Sequence, residues 1–346
     1  MKELITQMIR VSGPMPIDRY MALCLGHPTL GYYMNRDPLG AAGDFMTAPE
    51  ISQIFGELVG IWCVAAWQAV GSPAPFLLVE LGPGRGTLMA DILRATAKMQ
   101  EFADAAQVHL VETSPVLRKA QRDKLDAKVT WHDSVETLPQ EPMIFVANEF
   151  FDALPAQQLI RHNGQTYERC VDLEGDELVL AIRQIPQIVG LREGLNEVSS
   201  VSFAIAQSLG ARIAALGGAG LVIDYGHLQT AAGDTLQALK LHKMVSVVEH
   251  PGTSDLTVHV DFEALGKAFA AGGADVLPAK AQGAFLNDMG LEARAAKLAA
   301  KLSGQERKDF INGAARLVDD KEMGQLFKAM AVAQATRQPI YPFEAP

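Results

Sequence analysis

A continuous apolar run followed by three glycines at alternate positions is the strongest constraint on the fold of this chain. Residues 76–81 read FLLVEL and residues 82–87 read GPGRGT. An apolar run of this kind predicts a strand buried on both faces of a parallel sheet. Apolar residues over 88–93 then recur at helical spacing and predict a helix. The segment therefore predicts strand, glycine turn and helix in an α/β fold.

The glycine turn indicates a nucleotide-type site. Gly82 and Gly84 have no side chain, so a ligand can lie against the main chain, and the helix that begins near Thr87 directs free N–H groups at it. The dinucleotide pattern is G-x-G-x-x-G, whereas Gly86 comes one residue early and Glu80 precedes the turn. This spacing is typical of S-adenosylmethionine (SAM) sites. The alternatives are an NAD site or a tight strand-to-helix connection without a ligand.

Acidic residues follow two further predicted strands. Glu112 ends the apolar strand at 108–111, where a carboxylate can accept hydrogen bonds from both ribose hydroxyls, as in dinucleotide folds. This residue supports a nucleotide-type site, and together with the glycine spacing the stretch favours SAM over NAD. Asp133 and Ser134 follow a short strand at 129–131. Because ligands of α/β sheets bind at the carboxyl ends of the strands, Asp133 is expected in the same crevice, accepting from an adenine amino group. An ordinary turn aspartate is the alternative.

The strand predicted at 143–147 leads into a polar group of residues. Asn148, Glu149 and Asp152 lie beside two phenylalanines in the sequence NEFFD. Charged side chains next to aromatic ones usually have partners or a functional reason to be there. A solvated polar loop is the alternative, but the position at a strand exit favours a functional site.

Composition narrows the function classes. The 346 residues are 49% hydrophobic, enough for a large core, and carry a net charge of −10, which argues against nucleic-acid binding and is compatible with a basic protein partner. Three widely spaced cysteines predict reduced thiols and no metal site. The apolar run at 58–70 is too short to insert in a membrane. The N-terminus resembles neither a signal peptide nor an organellar presequence, so a cytoplasmic location is expected.

The predicted organisation is an N-terminal helical region at 1–75 packed on a SAM-binding core at 76–346. The core carries a β insertion at about 156–185 and a helical insertion at about 283–327, and a last antiparallel strand is predicted at 330–335. Residues 47–50 match a capping box with proline in the first turn. The glycine-flanked Asp44 and Phe45 before it form either a lid over a cofactor or a plain connection to a well-capped helix.

Together the motifs resemble the MidA-like family of class I SAM-dependent methyltransferases, which includes the mitochondrial complex I assembly methyltransferase that acts on protein arginine. The resemblance covers nearly the whole chain. It is carried by GDFMTAPEISQIFGE at 43–57, ELGPGRGTL at 80–88, NEFFDALP at 148–155, DYG at 224–226, DLTVHVDF at 255–262, QGAFL at 282–286 and MGQLFK at 323–328.

The resemblance implies a Rossmann-like class I methyltransferase sheet, mostly parallel with seven strands and the last one antiparallel. It implies SAM as cofactor, with residues 43–45 and 50–53 helping to form the SAM and substrate pocket. The predicted cofactor contacts are then Glu80, Gly82, Pro83, Gly84, Gly86, Thr87, Glu112, Asp133, Ser134, Gly43, Asp44, Phe45, Glu50, Ser52 and Gln53.

The predicted reaction is methylation of arginine in a protein substrate. A guanidinium presents five donors in a planar fork, which Glu149 and Asp152, with Asn148 beside them, could hold while one nitrogen faces the methyl group. The alternatives are a small-molecule SAM methyltransferase and a SAM-binding assembly factor without transfer activity, and a dehydrogenase is more distant. A homodimer is compatible with the sequence, whereas nucleic acid is not expected as a partner.

Overall fold

A computed structural model describes residues 1–34, 46–126, 128–336 and 338–343. The helices are α1 (Lys2–Ser12), α2 (Ile17–Gly26), α3 (Ala48–Ile51), α4 (Gln53–Ala69), α5 (Thr87–Thr96), α6 (Gln100–Ala105), α7 (Pro115–Lys124), α8 (Ser200–Leu216), α9 (Phe262–Ala271), α10 (Gln282–Asp288), α11 (Leu291–Ala299), α12 (Gly304–Arg316) and α13 (Met323–Leu326).

The strands are β1 (Met15–Pro16), β2 (Phe76–Leu81), β3 (Ala106–Val111), β4 (Val129–His132), β5 (Met143–Asn148), β6 (Gln157–His162), β7 (Gln165–Glu174), β8 (Glu177–Ile185), β9 (Gly194–Val198), β10 (Gly218–His227), β11 (Gln237–Lys240), β12 (Lys243–Val245), β13 (Asp255–Thr257), β14 (Val260–Asp261), β15 (Asp275–Val276), β16 (Lys280–Ala281) and β17 (Phe327–Ala333).

The chain divides into two compact units. The first comprises Met1–Phe45, Phe151–Ala204 and Gln229–His259, and the second comprises Met46–Phe150, Ile205–Leu228 and Val260–Pro346. Helix α4 belongs to the second unit. The predicted domain boundary at residue 75 stays a prediction. Helix α4 is buried over most of its surface and packs along α5, where a Cβ on Gly56 would lie 2.4 Å from the Cβ of Asp91.

The second unit is built on a mainly parallel sheet. Its strand order is β15-β17-β10-β5-β2-β3-β4, and β17 runs antiparallel to β10. Strand β17 confirms the predicted last antiparallel strand, starting three residues earlier. Every residue of β2 and β5 is buried, and each large apolar side chain among them contributes ~1.5–3 kcal/mol to folding. The predicted helical segment at 283–327 is divided among α10 to α13.

The sheet register brings the ends of neighbouring strands together. Leu81 at the end of β2 is level with Val111 of β3 and with Ala147 of β5. Val111 is in turn level with His132 of β4. The glycine turn, Glu112, Asp133 and Asn148 therefore all leave the sheet at its carboxyl edge.

The first unit contains an antiparallel sheet. Strands β6, β7 and β8 confirm the β insertion predicted at about 156–185. The β6–β7 turn contains Asn163 and Gly164, both with positive φ, as a tight hairpin requires. The sheet also includes β9 and β1, which the sequence did not predict. Its core is formed with α1 and α2, and a small sheet has the order β12-β11-β13. None of the described helices is both long enough and apolar enough to cross a bilayer.

Candidate cofactor and substrate site

Backbone conformation favours glycine at all three glycines of the turn, and limited space favours it at Gly82 and Gly86. Gly82, Gly84 and Gly86 have φ values of 61°, 51° and 78°, in the left-handed region that favours glycine. A Cβ on Gly82 would lie 2.9 Å from the ring of Phe150, and one on Gly86 would lie 3.3 Å from Cγ of Gln121. The N–H of Gly86 donates to the carbonyl of Pro83 at 2.7 Å and closes the turn. A side chain at Gly82 or Gly86 would therefore meet Phe150 or Gln121.

Glu80 places a buried carboxyl just before the turn. Glu80 is 3% exposed. Its carboxyl group accepts from the backbone N–H of Met89 in the first turn of α5. Among the described residues, Oε2 of Glu80 has no hydrogen-bond partner. Burial raises the pKa of Glu80 to about 8, which is an energetic cost that a cation beside the carboxylate would reduce.

Glu112 is held in one orientation by its neighbours. Oε1 accepts from the backbone N–H of Ser114 at 2.7 Å, and Oε2 accepts from Nε2 of Gln121 at 3.3 Å. Nε of Arg118 donates to the Glu112 carbonyl at 2.6 Å. Burial raises the pKa of Glu112, while the hydrogen bonds from Ser114 and Gln121 act in the opposite direction. The carboxyl group is thus fixed at the end of β3.

Gln121 is a residue of this site that the sequence analysis missed. Its side chain is fully buried, and Nε2 donates to the carbonyl of Gly84 at 2.7 Å as well as to Glu112. Its Oε1 accepts from the indole N–H of Trp131 at 2.8 Å. The available signal was its position four residues after Leu117, on the inward face of α7. A glutamine at an inward position of an amphipathic helix needs polar partners inside the protein.

Asp133 is exposed at the end of β4. Its carboxylate forms an ion pair with Arg118 at 2.6 Å, and the Asp133 side chain is 81% exposed. Pairs this exposed contribute little to stability, so a ligand could displace Arg118 at small cost. Ser134, which follows, accepts at its carbonyl from the hydroxyl of Thr137.

Glu50 contacts the glycine turn instead of capping its own helix. Thr47 is the N-cap of α3 but makes no side-chain capping hydrogen bond, so the predicted capping box is wrong. Instead, the hydroxyl of Thr87 donates to Oε1 of Glu50, and Arg85 lies 3.9 Å from Oε2. Lys124 also donates to the Thr87 hydroxyl. The tertiary partner replaces the local one because α3 packs beside the start of α5.

The other predicted residues of this segment have separate positions. Ser52 ends α3 and caps α4, accepting from the N–H of Ile54 at 3.4 Å, and Gln53 is exposed in the first turn of α4. Gly43, Asp44 and Phe45, the predicted lid, lie outside the described residues.

The exit of β5 combines backbone strain with an unpaired acceptor. Glu149 has a φ of 50°, an unfavourable conformation for a non-glycine residue, held by its N–H donating to Ile223 at 2.9 Å. Its Oε1 accepts from Nδ2 of Asn148 at 3.2 Å and from the N–H of Ala48 at 3.4 Å. Oδ1 of Asn148 is buried without a hydrogen-bond partner in the part of the chain that the structure describes. The strand exit is therefore fixed and presents an acceptor.

Asp224 is a second residue that the sequence did not predict for this region. It is fully buried in β10, and its carboxylate accepts from the backbone N–H groups of Phe150 at 3.2 Å and of Tyr225 at 3.0 Å. The sequence signal was the motif DYG at 224–226. Asp224 supports the loop that follows Glu149.

Asp152 belongs to the first unit, where it is buried. Its carbonyl accepts from the N–H of Val258 at 3.0 Å. Burial, followed by the charges of Asp255 and Asp152, holds the pKa of Tyr33 well above its usual range. The Tyr33 hydroxyl donates to Asp255 at 2.8 Å. Asp152 thus lies in an acidic cluster of its own unit.

The geometry of the second unit fits a cationic nucleoside ligand. The main chain of the glycine turn, the Glu80 carboxyl and the fixed carboxyl of Glu112 lie at the same edge of the sheet. Within the part of the chain that the structure describes, Oε2 of Glu80 has no hydrogen-bond partner. Among the described residues, no cluster suited to a metal ion was found. The sheet order with an antiparallel β17, together with this turn, defines a class I methyltransferase.

Comparison with known proteins gives the same class. The model of a family described as "Putative S-adenosyl-L-methionine-dependent methyltransferase" matches residues 58–279. A Danio rerio protein named protein arginine methyltransferase NDUFAF7, mitochondrial, is 35% identical, with 97% of this chain and 87% of that protein covered. The Drosophila melanogaster homologue is 38% identical, with coverages of 93% and 82%. This chain belongs to that family of SAM-dependent methyltransferases.

A solved structure supports the fold and the cofactor. A Burkholderia thailandensis protein, crystallised with S-adenosyl-homocysteine, superposes with a TM-score of 0.86 at 26% identity, covering 99% of this chain and 95% of that one. The predicted fold class and the SAM cofactor are thus confirmed. The expected cytoplasmic location is contradicted, because the relatives from Danio rerio and Drosophila melanogaster are named as mitochondrial.

Proposed function

We propose that this methyltransferase transfers a methyl group from SAM to an arginine side chain of a protein. Relatives that match almost the whole chain are named protein arginine methyltransferases, which supports the substrate class. The net charge of −10 is compatible with a cationic protein segment as partner. The observation that carries the proposal is the exit of β5, where a strained glutamate adjoins a buried amide oxygen that has no hydrogen-bond partner among the described residues.

The proposed cofactor site uses the residues of the glycine turn and its neighbours. The main chain at Gly82 and Gly84 and the N-terminus of α5 hold the methionine part of SAM. The Glu80 carboxyl binds the positively charged ammonium group of that part. Glu112 accepts from the ribose hydroxyls, and Asp133 accepts from the adenine amino group once Arg118 has been displaced.

Glu50, through its bond from Thr87, keeps the first turn of α5 in place. The remaining predicted contacts, among them Pro83, Ser134, Ser52, Gln53 and residues 43–45, stay predictions.

The proposed acceptor site uses Asn148 and Glu149. A guanidinium offers five N–H donors, and the unpaired Oδ1 of Asn148 and the carboxylate of Glu149 are acceptors next to each other in the chain. Bound SAM supplies a methyl group on a positively charged sulfur, which a nitrogen can attack in line. Holding that nitrogen in line provides most of the rate enhancement. As the N–C bond forms and the S–C bond breaks, Glu149 takes up the proton that the nitrogen releases.

The variant Glu149→Gln tests this role. It keeps the size of the side chain and an acceptor oxygen but removes the charge and the base, so we expect loss of methyl transfer with nearly unchanged affinity for S-adenosyl-homocysteine in calorimetry. A large loss of that affinity would assign Glu149 to the cofactor site instead. Asp152→Asn tests the predicted second carboxylate by the same two measurements.

The substrate class is tested by labelling. Wild-type protein and Glu149→Gln are incubated with methyl-labelled SAM and a mitochondrial lysate, and labelled amino acids are identified after hydrolysis. Labelled methylarginine that appears only with the wild type supports the proposal. Label confined to small metabolites would indicate a small-molecule methyltransferase. Absence of label, with S-adenosyl-homocysteine bound normally, would indicate an assembly factor without transfer activity.

A further inference from the structure

Gln121 connects the two parts of the proposed cofactor site. Its amide nitrogen has two protons, and both are used: one bond goes to the carbonyl of Gly84 in the turn and the other to Oε2 of Glu112 at the end of β3. The turn and Glu112 lie on different strand–helix connections, so this side chain is a direct link between them.

The orientation of the Gln121 amide is fixed by a third residue. The indole N–H of Trp131 can only donate, and it donates to Oε1 of Gln121 at 2.8 Å. The amide therefore cannot turn over without losing this bond, and its nitrogen faces Gly84 and Glu112. The guanidinium of Arg122 also lies over the Trp131 ring, 5.4 Å from the ring centre, which is a cation–π contact.

The carboxyl group of Glu112 depends on Gln121. Oε1 of Glu112 accepts from the main-chain N–H of Ser114, whereas Oε2 accepts from the side chain of Gln121. Glu112 is 8% exposed, and burial raises the pKa of its carboxyl group. The hydrogen bonds from Ser114 and Gln121 act against this effect, because they stabilise the charged form. Without Gln121 the carboxyl group would lose both an orienting contact and part of the stabilisation of its charge.

Gly86 is linked to the same contact. A Cβ at this position would lie 3.3 Å from Cγ and 3.6 Å from Cα of Gln121, and φ is 78°. The third glycine of the turn thus leaves room for Gln121 to approach the carbonyl of Gly84. This gives a physical reason for a glycine one residue earlier than in the dinucleotide pattern.

We propose that Gln121 is a positioning residue that keeps the Glu112 carboxyl directed at the ribose, and that it couples ribose recognition to the shape of the glycine turn. The inference rests on the proposed role of Glu112 in the cofactor site. It predicts that the loss of Gln121 weakens the recognition of the ribose hydroxyls more than the binding of the rest of the nucleoside.

The test compares two ligands, S-adenosyl-homocysteine and its 2′,3′-dideoxy analogue, by calorimetry on four proteins. These are the wild type, Glu112→Gln, Gln121→Met and the control Gln282→Met. Gln282 is equally buried in the same unit but donates to Leu317 at 2.9 Å, in a different helix pair. We expect the wild type and the control to prefer the ribose ligand by about 100-fold, and the other two variants to lose about tenfold or more of this preference.

A pH series adds a readout that a merely structural role would not change. Gln121→Glu keeps the shape of the side chain but places a second carboxyl beside Glu112. The charged groups that already face Glu112 are Glu80 and Arg118. We expect the affinity of Gln121→Glu for S-adenosyl-homocysteine to depend on pH more steeply than that of the wild type, because the two adjacent carboxyls disfavour each other's ionisation. An unchanged pH profile would overturn the inference.

The remaining outcomes separate the inference from the proposed function. If Glu112→Gln keeps the full ribose preference, the proposed role of Glu112 fails and the inference fails with it. Only the inference fails if Glu112→Gln loses the ribose preference while Gln121→Met keeps it. The same holds if Gln121→Met loses affinity for both ligands equally. Should Gln121→Met not fold, Trp131→Phe removes the donor that orients the amide. A ribose preference reduced at least threefold in that variant supports the inference, and an unchanged preference overturns it.

Discussion

Replacing Glu80 by glutamine tests whether the buried carboxyl beside the glycine turn makes the stability of the protein depend on pH. Burial raises the pKa of Glu80 from an ordinary value of 4.5 to about 8. The folded protein therefore holds this proton more tightly than the unfolded chain, and the contribution of Glu80 to stability falls as pH rises from 4.5 to about 8. Glutamine has the same shape and does not titrate in this range.

The magnitude follows from that interval. At about 1.4 kcal/mol per pH unit, the full interval corresponds to at most about 5 kcal/mol, and the part between pH 5 and pH 8 to roughly 3–4 kcal/mol. The amide also replaces the unpartnered Oε2 by a donor, which adds a constant offset of about 1–3 kcal/mol of either sign. The slope of the difference with pH is therefore the informative quantity, rather than its value at one pH.

The assay is reversible denaturant unfolding of the wild type and Glu80→Gln at intervals from pH 5 to pH 8. We expect the variant to gain stability over the wild type steadily with pH. Glu101→Gln, an exposed glutamate in α6, serves as the control and should show no such trend. Free energies of unfolding that remain parallel for Glu80→Gln and the wild type across the range would refute the reasoning. Saturating S-adenosyl-homocysteine should flatten the trend, because its ammonium group favours the ionised carboxyl.

Three further predictions concern single positions. Glu149→Gly should be more stable than Glu149→Ala by about 1 kcal/mol in chemical unfolding, because glycine accepts the φ of 50°, and equal stabilities would argue against strain there. Gly86→Ala should lose about 1–2 kcal/mol of stability and weaken S-adenosyl-homocysteine binding in calorimetry, because the new Cβ meets Gln121 at a positive φ. An affinity equal to that of the wild type would contradict this prediction. Glu57→Ala should lower stability by about 1–3 kcal/mol, since it removes the acceptor of Arg294 at 2.6 Å and of Arg94 at 3.3 Å, and an unchanged melting temperature would exclude this.

Local patterns predicted the parts of the site that depend on neighbouring residues in the chain. The apolar runs became β2 and β5, and the alternate glycines became a turn with positive φ at each of them. The β insertion predicted at about 156–185 became the antiparallel strands β6, β7 and β8, with Asn163 and Gly164 in the first turn. These features depend on periodicity and on backbone conformations that particular residues accept, both of which are visible in a short window of sequence.

Contacts between distant segments were decided by the tertiary structure. The sequence at 47–50 predicted a capping box, but Glu50 contacts Thr87 of another helix. Gln121 looks like an ordinary residue of α7 until the register of β2, β3 and β4 brings Gly84, Glu112 and Trp131 to the same edge.

The raised pKa of Glu80 has the same origin, because the burial of a carboxyl depends on elements that pack around it from elsewhere in the chain. Residue type and spacing thus determined the strands, the turn and the class of cofactor. Strand order and helix packing determined which side chains meet at the cofactor site. A hydrogen bond requires two atoms to be placed about 3 Å apart to within a few tenths of an ångström, and no local sequence pattern records such a distance.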